Sequence, residues 1–268
     1  MKMYTSYFGF IKDIPDIDAA GYDHIELHIK EIMSFSNKEF EDALQTLKNS
    51  HLTCQVCDNP LPLDVVVADD DFDMEFYFRY FEKVVERTAK MGAKYFVYGN
   101  GKTRSIPEGD GAEKSRKKND RVLKKLCEVA AKENITVLIE PLAPTVSNRI
   151  LSLPEAAAYI EKMQMPNLKT LLDFRWFVDM KHPYSHIEEY QDIIKHVHID
   201  NPLTPFPKRY VPKVDDGFDY GPLFETLKKI CYQGIISYEA NTTDDFKADL
   251  RKGLEILEKY DIIPYNLE

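Results

Sequence analysis

Thr136-Val-Leu-Ile-Glu140-Pro141 is a short β-branched run that stops at a carboxylate, and three later stretches repeat the pattern. They read Lys169-Thr-Leu-Leu-Asp173, Lys195-His-Val-His198-Ile199 and Gly234-Ile-Ile-Ser-Tyr-Glu239. Glu140, Asp173, His198 and Glu239 are spaced by 33, 25 and 41 positions, roughly one βα unit each. In a closed parallel barrel, consecutive strand ends meet at one mouth, where such barrels do their chemistry. The four runs therefore predict a fold and a site together.

Working outward, the same rhythm covers the chain. Strands are expected at Tyr4–Phe8, His24–His28, Thr53–Cys57, Tyr95–Tyr98, Thr136–Glu140, Lys169–Asp173, His196–Ile199 and Ile235–Glu239. Amphipathic stretches lie between them. Phe81, Val84, Val85 and Thr88 recur at helical spacing before Met91-Gly92; Val122, Leu123, Leu126 and Ala130 do so before Glu133-Asn134. Phe246, Leu250, Leu254 and Leu257 mark the last helix. Strict βα order predicts a parallel sheet, and eight units predict closure into a (β/α)₈ TIM barrel. Such a barrel takes about 250 residues, so residues 1–268 read as one domain. An open doubly wound sheet would want a glycine fingerprint after the first strand, and Tyr7-Phe-Gly-Phe-Ile-Lys12 has none.

Two connections are long: Gly99–Asp110, and the proline-rich Asp200–Gly217. Both are expected at the C-terminal mouth, where loops shape a pocket.

Bulk composition narrows the function classes. The chain is 44% hydrophobic and 30% charged, as in globular enzymes, and its net charge of −10 argues against nucleic acid as partner. No apolar run reaches membrane-span length, and Met1–Phe10 lacks the features of a signal peptide. Four cysteines do not make a disulfide scaffold in a chain this long. The expectation is a cytoplasmic protein acting on a small molecule, with homo-oligomerisation left open.

Three carboxylates and an imidazole suit one divalent cation, with the oxygen bias favouring Mn²⁺ or Mg²⁺ over Co²⁺ or Zn²⁺. Such an ion polarises a ketone and the adjacent hydroxyl, and a glutamate beside it can take the acidified proton. Glu140 and Glu239 come from non-adjacent strands and are the expected acid/base pair.

The segments Ile139-Glu140-Pro141-Leu142, Leu171-Leu172-Asp173, His196-Val197-His198-Ile199 and Ser237-Tyr238-Glu239, with Asp215–Phe224, resemble the xylose isomerase-like TIM barrels. Within that superfamily the chain is most similar to the D-tagatose 3-epimerase-like branch of sugar phosphate isomerases and epimerases. The resemblance runs nearly end to end. It implies Glu140, Asp173, His198 and Glu239 as ligands of one divalent ion, commonly Mn²⁺, with the two glutamates shuttling a proton through an enediolate. The implied substrate is a small keto-sugar or polyol. Alternatives are dehydration of a keto-cyclitol or sugar at the same site, and a non-catalytic metabolite-binding barrel. The sugar-reading positions depart from the family pattern. Trp176 stands where a histidine is usual, Val146 where a glutamate is, and Thr204 where an arginine is; Arg209 further along the loop is the expected replacement. The related endonuclease IV pattern needs more strand-end histidines than Tyr98-Gly99 and Trp176 provide.

Other expectations concern single residues. Gly101-Lys102-Thr103 is no P-loop, because Phe96 stands where its first glycine belongs. Lys102 and Arg104 are candidates to touch an anionic substrate group, with plain solvent exposure as the alternative. His196 and His198 share a strand face, so His196 is expected one layer below the ligand. Glu26, in the same geometry on strand two, is expected to contact substrate or a ligand, since a buried carboxylate needs a partner, with a plain structural hydrogen bond as the alternative. Trp176 is expected to wall the pocket, with core packing as the alternative. Cys54 and Cys57, three apart on a strand, are expected on opposite faces.

Overall fold

The computed structural model describes residues 1–265. Its eight strands are β1 Tyr4–Gly9, β2 His24–His28, β3 Thr53–Asp58, β4 Tyr95–Tyr98, β5 Thr136–Ile139, β6 Leu168–Asp173, β7 Ile194–Ile199 and β8 Ile235–Tyr238. All eight lie where the sequence places them, with ends shifted by at most two residues. Each pairs parallel with the next, and β8 closes onto β1 through Ser6–Ser237 and Tyr7–Tyr238. The expected domain over 1–268 reaches three residues past those described.

Alternation along the strands builds two layers. Inside the barrel, Val56, Val97, Leu138, Leu171 and Ile235 form a small apolar cluster. The intervening residues (Ile25, Leu27, Phe96, Val137, Leu172, Val197 and Ile236 among them) face the helices and join the main core. Side chains two positions beyond the interior cluster therefore point into the mouth, among them Glu140, Asp173 and the residues that pair with them.

The helices begin and end on local chemistry. Asp73 accepts a hydrogen bond from the Phe76 amide at 2.9 Å and starts helix Met74–Met91; Gly92, at φ 105°, ends it in the left-handed region. Ser152 caps Leu153–Met163 and Asp245 caps Phe246–Lys259 in the same way. No helix among the described residues is long and apolar enough to cross a membrane.

One local expectation is overturned. The sulfurs of Cys54 and Cys57 lie 3.6 Å apart, on one side of β3 rather than on opposite faces. The register with β2 steps from His24–Thr53 to Glu26–Val56, so β3 spends an extra residue there. That bulge resets the alternation.

Candidate metal centre and pocket

Each of the four strand-end residues reaches the centre for a local reason. Glu140 follows β5 directly, its amide bonded to the Tyr98 carbonyl of β4. Gly99, just beyond β4, leaves room for it: a Cβ there would overlap Glu140 Oε2. Asp173 ends β6 and caps the short helix Phe174–Asp179, Oδ1 accepting from the Trp176 amide at 3.1 Å and Oδ2 from Arg209 Nη2 at 2.9 Å. His198 and Glu239 come from β7 and from the residue after β8. One ligand atom from each of the four lies within 4.8 Å of all the others.

Beneath them, Glu26 is fully buried. Its carboxylate pairs with His198 Nε2 through Oε1 and with His196 Nε2 through Oε2, both at 3.0 Å. Engaging Nε2 from below turns His198 Nδ1 toward the acids, 3.0 Å from Glu239 Oε2 and 3.9 Å from Glu140 Oε1. A carboxylate behind the imidazole is the usual way a ligand histidine is oriented and made more basic. Burial alone would raise the Glu26 carboxyl, but the two imidazoles hold it below the ordinary carboxylate range. Replacing Glu26 by glutamine is expected to weaken Mn²⁺ binding about 10- to 100-fold while the fold persists. Titration of the variant by calorimetry checks this; unchanged affinity would assign Glu26 to packing alone.

Above the floor, Arg209 supplies counter-charge. Its Nη2 donates to Asp173 Oδ2 at 2.9 Å, its Nη1 to Glu239 Oε2, and its guanidinium lies over the Trp176 ring at 5.2 Å. Burial pushes the Glu140 carboxyl up to about 8 against the pull of His198, with Asp173 and Glu239 adding to the rise. Burial would raise Glu239 too, yet Arg209 and His198 hold it at about 2. For His198, Glu26 and Glu239 outweigh burial and lift the imidazole well above its ordinary range. The acids are thus offset by the Arg209 charge and by the upward shifts of Glu140 and His198, which favour their protonated forms. A divalent cation would supply the same balance, displacing protons as it binds. Three oxygen donors, an imidazole oriented from behind and a glycine clearing space fit such an ion.

The sequence-selected substrate residues divide. Trp176 and Arg209 line the pocket, as expected. Glu26 lies under it and meets His198 rather than the cavity. Arg104 is corrected: it is 2% exposed, its guanidinium directed at the carbonyls of Tyr98 and Glu140. It holds the ends of β4 and β5, so an anionic substrate group does not reach it. Lys102 does line the rim, with an exposed side chain.

The structure also adds residues to the pocket that the sequence reading left out. Asp58 ends β3 at the pocket wall, with His28 Nδ1 3.6 Å away and Asn59 Nδ2 donating to its Oδ2. Burial, then Glu26, Glu239 and Glu140, push the Asp58 carboxyl well up. Its carboxyl is thus held toward the neutral form beside the other acids of the site. Asn100, Asn241, Leu63 and Phe206 complete the rim.

Comparison with known proteins agrees with this architecture. A family model described as xylose isomerase-like TIM barrel matches residues 14–260. A 3-dehydro-D-guloside 4-epimerase of Escherichia coli K12 is 29% identical over 169 residues, 59% of this chain and 61% of that protein. The match thus spans about three fifths of that relative's length. The apo crystal structure of 3-keto-D-glucoside 4-epimerase from E. coli superposes with a TM-score of 0.78 at 22% identity, covering 96% of this chain and 100% of that one. D-allulose 3-epimerase from Methylomonas sp., in complex with D-allulose, superposes at 0.80 with 17% identity and 97% coverage of both chains. With the model match extending over nearly the whole barrel, the chain belongs to the xylose isomerase-like TIM barrel family.

Proposed function

We propose that this protein is a divalent-metal-dependent epimerase of a keto-sugar, with a 3-keto-glycoside as its substrate. The observation that carries the reading is the convergence of Glu140, Asp173, His198 and Glu239, their ligand atoms within 4.8 Å, with Glu140 and Glu239 lining one open pocket. The curated relative acts on a guloside at carbon 4, which supports the substrate class.

When bound, the ion polarises the ketone and the adjacent hydroxyl and so acidifies the carbon between them. Mn²⁺ is the first choice for this donor set. The chain's own residues do the rest. Glu140 and Glu239 directly follow β5 and β8, separated around the barrel by β6 and β7. One removes the proton from the carbon next to the ketone, and the other returns a proton from the far side. Asp58 and Trp176 line the same cavity and would contact the bound sugar, Trp176 through its ring.

The test is incubation of the Mn²⁺-loaded protein in D₂O with 3-keto-glucosides and free ketoses. Deuterium at the carbon next to the ketone, with appearance of the epimer, is the expected result. A dehydrated enone as product would make the protein a dehydratase, and an absence of exchange on every compound would overturn proton-transfer chemistry altogether.

A further inference from the structure

The ionic floor takes up only the bottom of a cavity of about 460 Å³, within the roughly 300–1,000 Å³ of pockets that enclose drug-sized ligands. Its outer wall has a different chemistry. Leu63, Leu142, Val146, Trp176 and Phe206 all line it. Leu142 and Trp176, with Ala143, form an apolar cluster separate from the main core, and Val146 packs against it. The Phe206 ring lies 5.2 Å from that of Trp176. Leu63 and Phe206 are 41% and 50% exposed, and both sit on the same cavity. Apolar side chains gathered around the mouth of a site mark contact with a ligand more often than chance exposure.

Both exposed residues stand on anchored backbone. Asn100 Nδ2 donates to the Leu63 carbonyl at 2.8 Å. Asn241 Nδ2 donates to the carbonyl of Pro207 at 3.0 Å, and its Oδ1 accepts from the Arg209 amide at 2.9 Å. The wall is therefore held in place before a ligand arrives. A phosphate would find little there: Arg209 is engaged with Asp173 and Glu239, and Lys102 offers one amine on an exposed side chain.

We infer that the outer wall is a subsite for an apolar substituent on the sugar, the aryl or alkyl aglycone of a glycoside. The inference deepens the proposed function and rests on it for the orientation of the sugar, ketone end down. It selects glycosides over free or phosphorylated sugars.

Trp176 is the chain's one tryptophan and lies in this wall, so its fluorescence reports binding without turnover. Titration of the Mn²⁺-loaded protein compares phenyl β-D-glucoside with methyl β-D-glucoside. The phenyl compound is expected to bind at least about tenfold more tightly, from the apolar area it removes from water. Phe206→Ser and Leu63→Ser should each shrink that ratio, and the double variant should bring it close to one, with circular dichroism and metal content unchanged. Equal affinities in the wild type, a preference that survives the double variant, or tighter binding of glucose 6-phosphate than of the phenyl glucoside would each overturn the subsite. Failure of D₂O exchange with the tenfold preference intact would remove the epimerase reading and leave the subsite standing.

Discussion

Glu140→Gln and Glu239→Gln are each expected to lower turnover of a keto-sugar by about 10³-fold, within the range for loss of a positioned acid or base. Each replacement keeps the side chain's shape and removes the group that carries the proton. The two variants should also differ from one another. Starting from one epimer, only one glutamate faces the proton that leaves. The variant that retains it still washes solvent deuterium into recovered substrate, while the other does not; starting from the opposite epimer, the roles exchange. Mass spectrometry of recovered substrate reads this directly. Retention of full turnover by both variants would assign the chemistry to other residues.

The second large effect is on stability. Arg175 is 1% exposed and pins the start of the long loop after β7. Its Nε donates to Asp200 Oδ2 at 2.7 Å, its Nη1 to the Thr204 carbonyl and its Nη2 to the Asn201 carbonyl, both at 2.6 Å. Arg175→Ala leaves a buried carboxylate and two part-buried carbonyls without this partner, at a cost of about 3–5 kcal/mol. For a chain of this size that is a fall in Tm of about 10 °C. The deficit should depend on pH. Burial already raises the Asp200 carboxyl to about 7, with Asp173 adding to the rise and Arg209 and Arg175 opposing it. Loss of Arg175 raises it further. The folded variant then binds a proton that the unfolded chain, near the ordinary 3.8, has released, so its stability falls as pH rises above about 4. Thermal melts at pH 6 and pH 8 should show the larger deficit at pH 8. An equal deficit at both would mean that Asp200 does not respond to the loss. Because Arg209 lies on this loop, the same variant should also bind glycosides more weakly.

The barrel and its floor were legible in the sequence because both depend on period and position. Strands of a parallel barrel alternate strictly, so a ligand-type residue at the end of an apolar run points into the mouth with no further information. That reasoning located Glu140, Asp173, His198 and Glu239, and placed His196 one layer down. It failed where the alternation is interrupted. The bulge between Thr53 and Val56 shifts the phase of β3, which brings Cys54 and Cys57 together and hid Asp58, one residue past the expected strand end. Loop residues were harder still. Arg104 looks available in sequence, yet its guanidinium turns inward to carbonyls that only the folded loop brings within reach. Glu26 was recognised as needing a partner, but that the partners are two histidines 170 and 172 positions away follows only from barrel closure. The apolar wall around Leu63 and Phe206 left no periodic trace, since it is assembled from separate loops.

Metal content by elemental mass spectrometry, on wild-type protein and Asp173→Ala purified without chelator and then offered Mn²⁺, bears most directly on the site. About one divalent ion per chain in the wild type, lost in the variant, is the expected result. Protein that holds no ion even in excess Mn²⁺, or an Asp173→Ala variant that holds as much as the wild type, would contradict a metal centre built from these four residues.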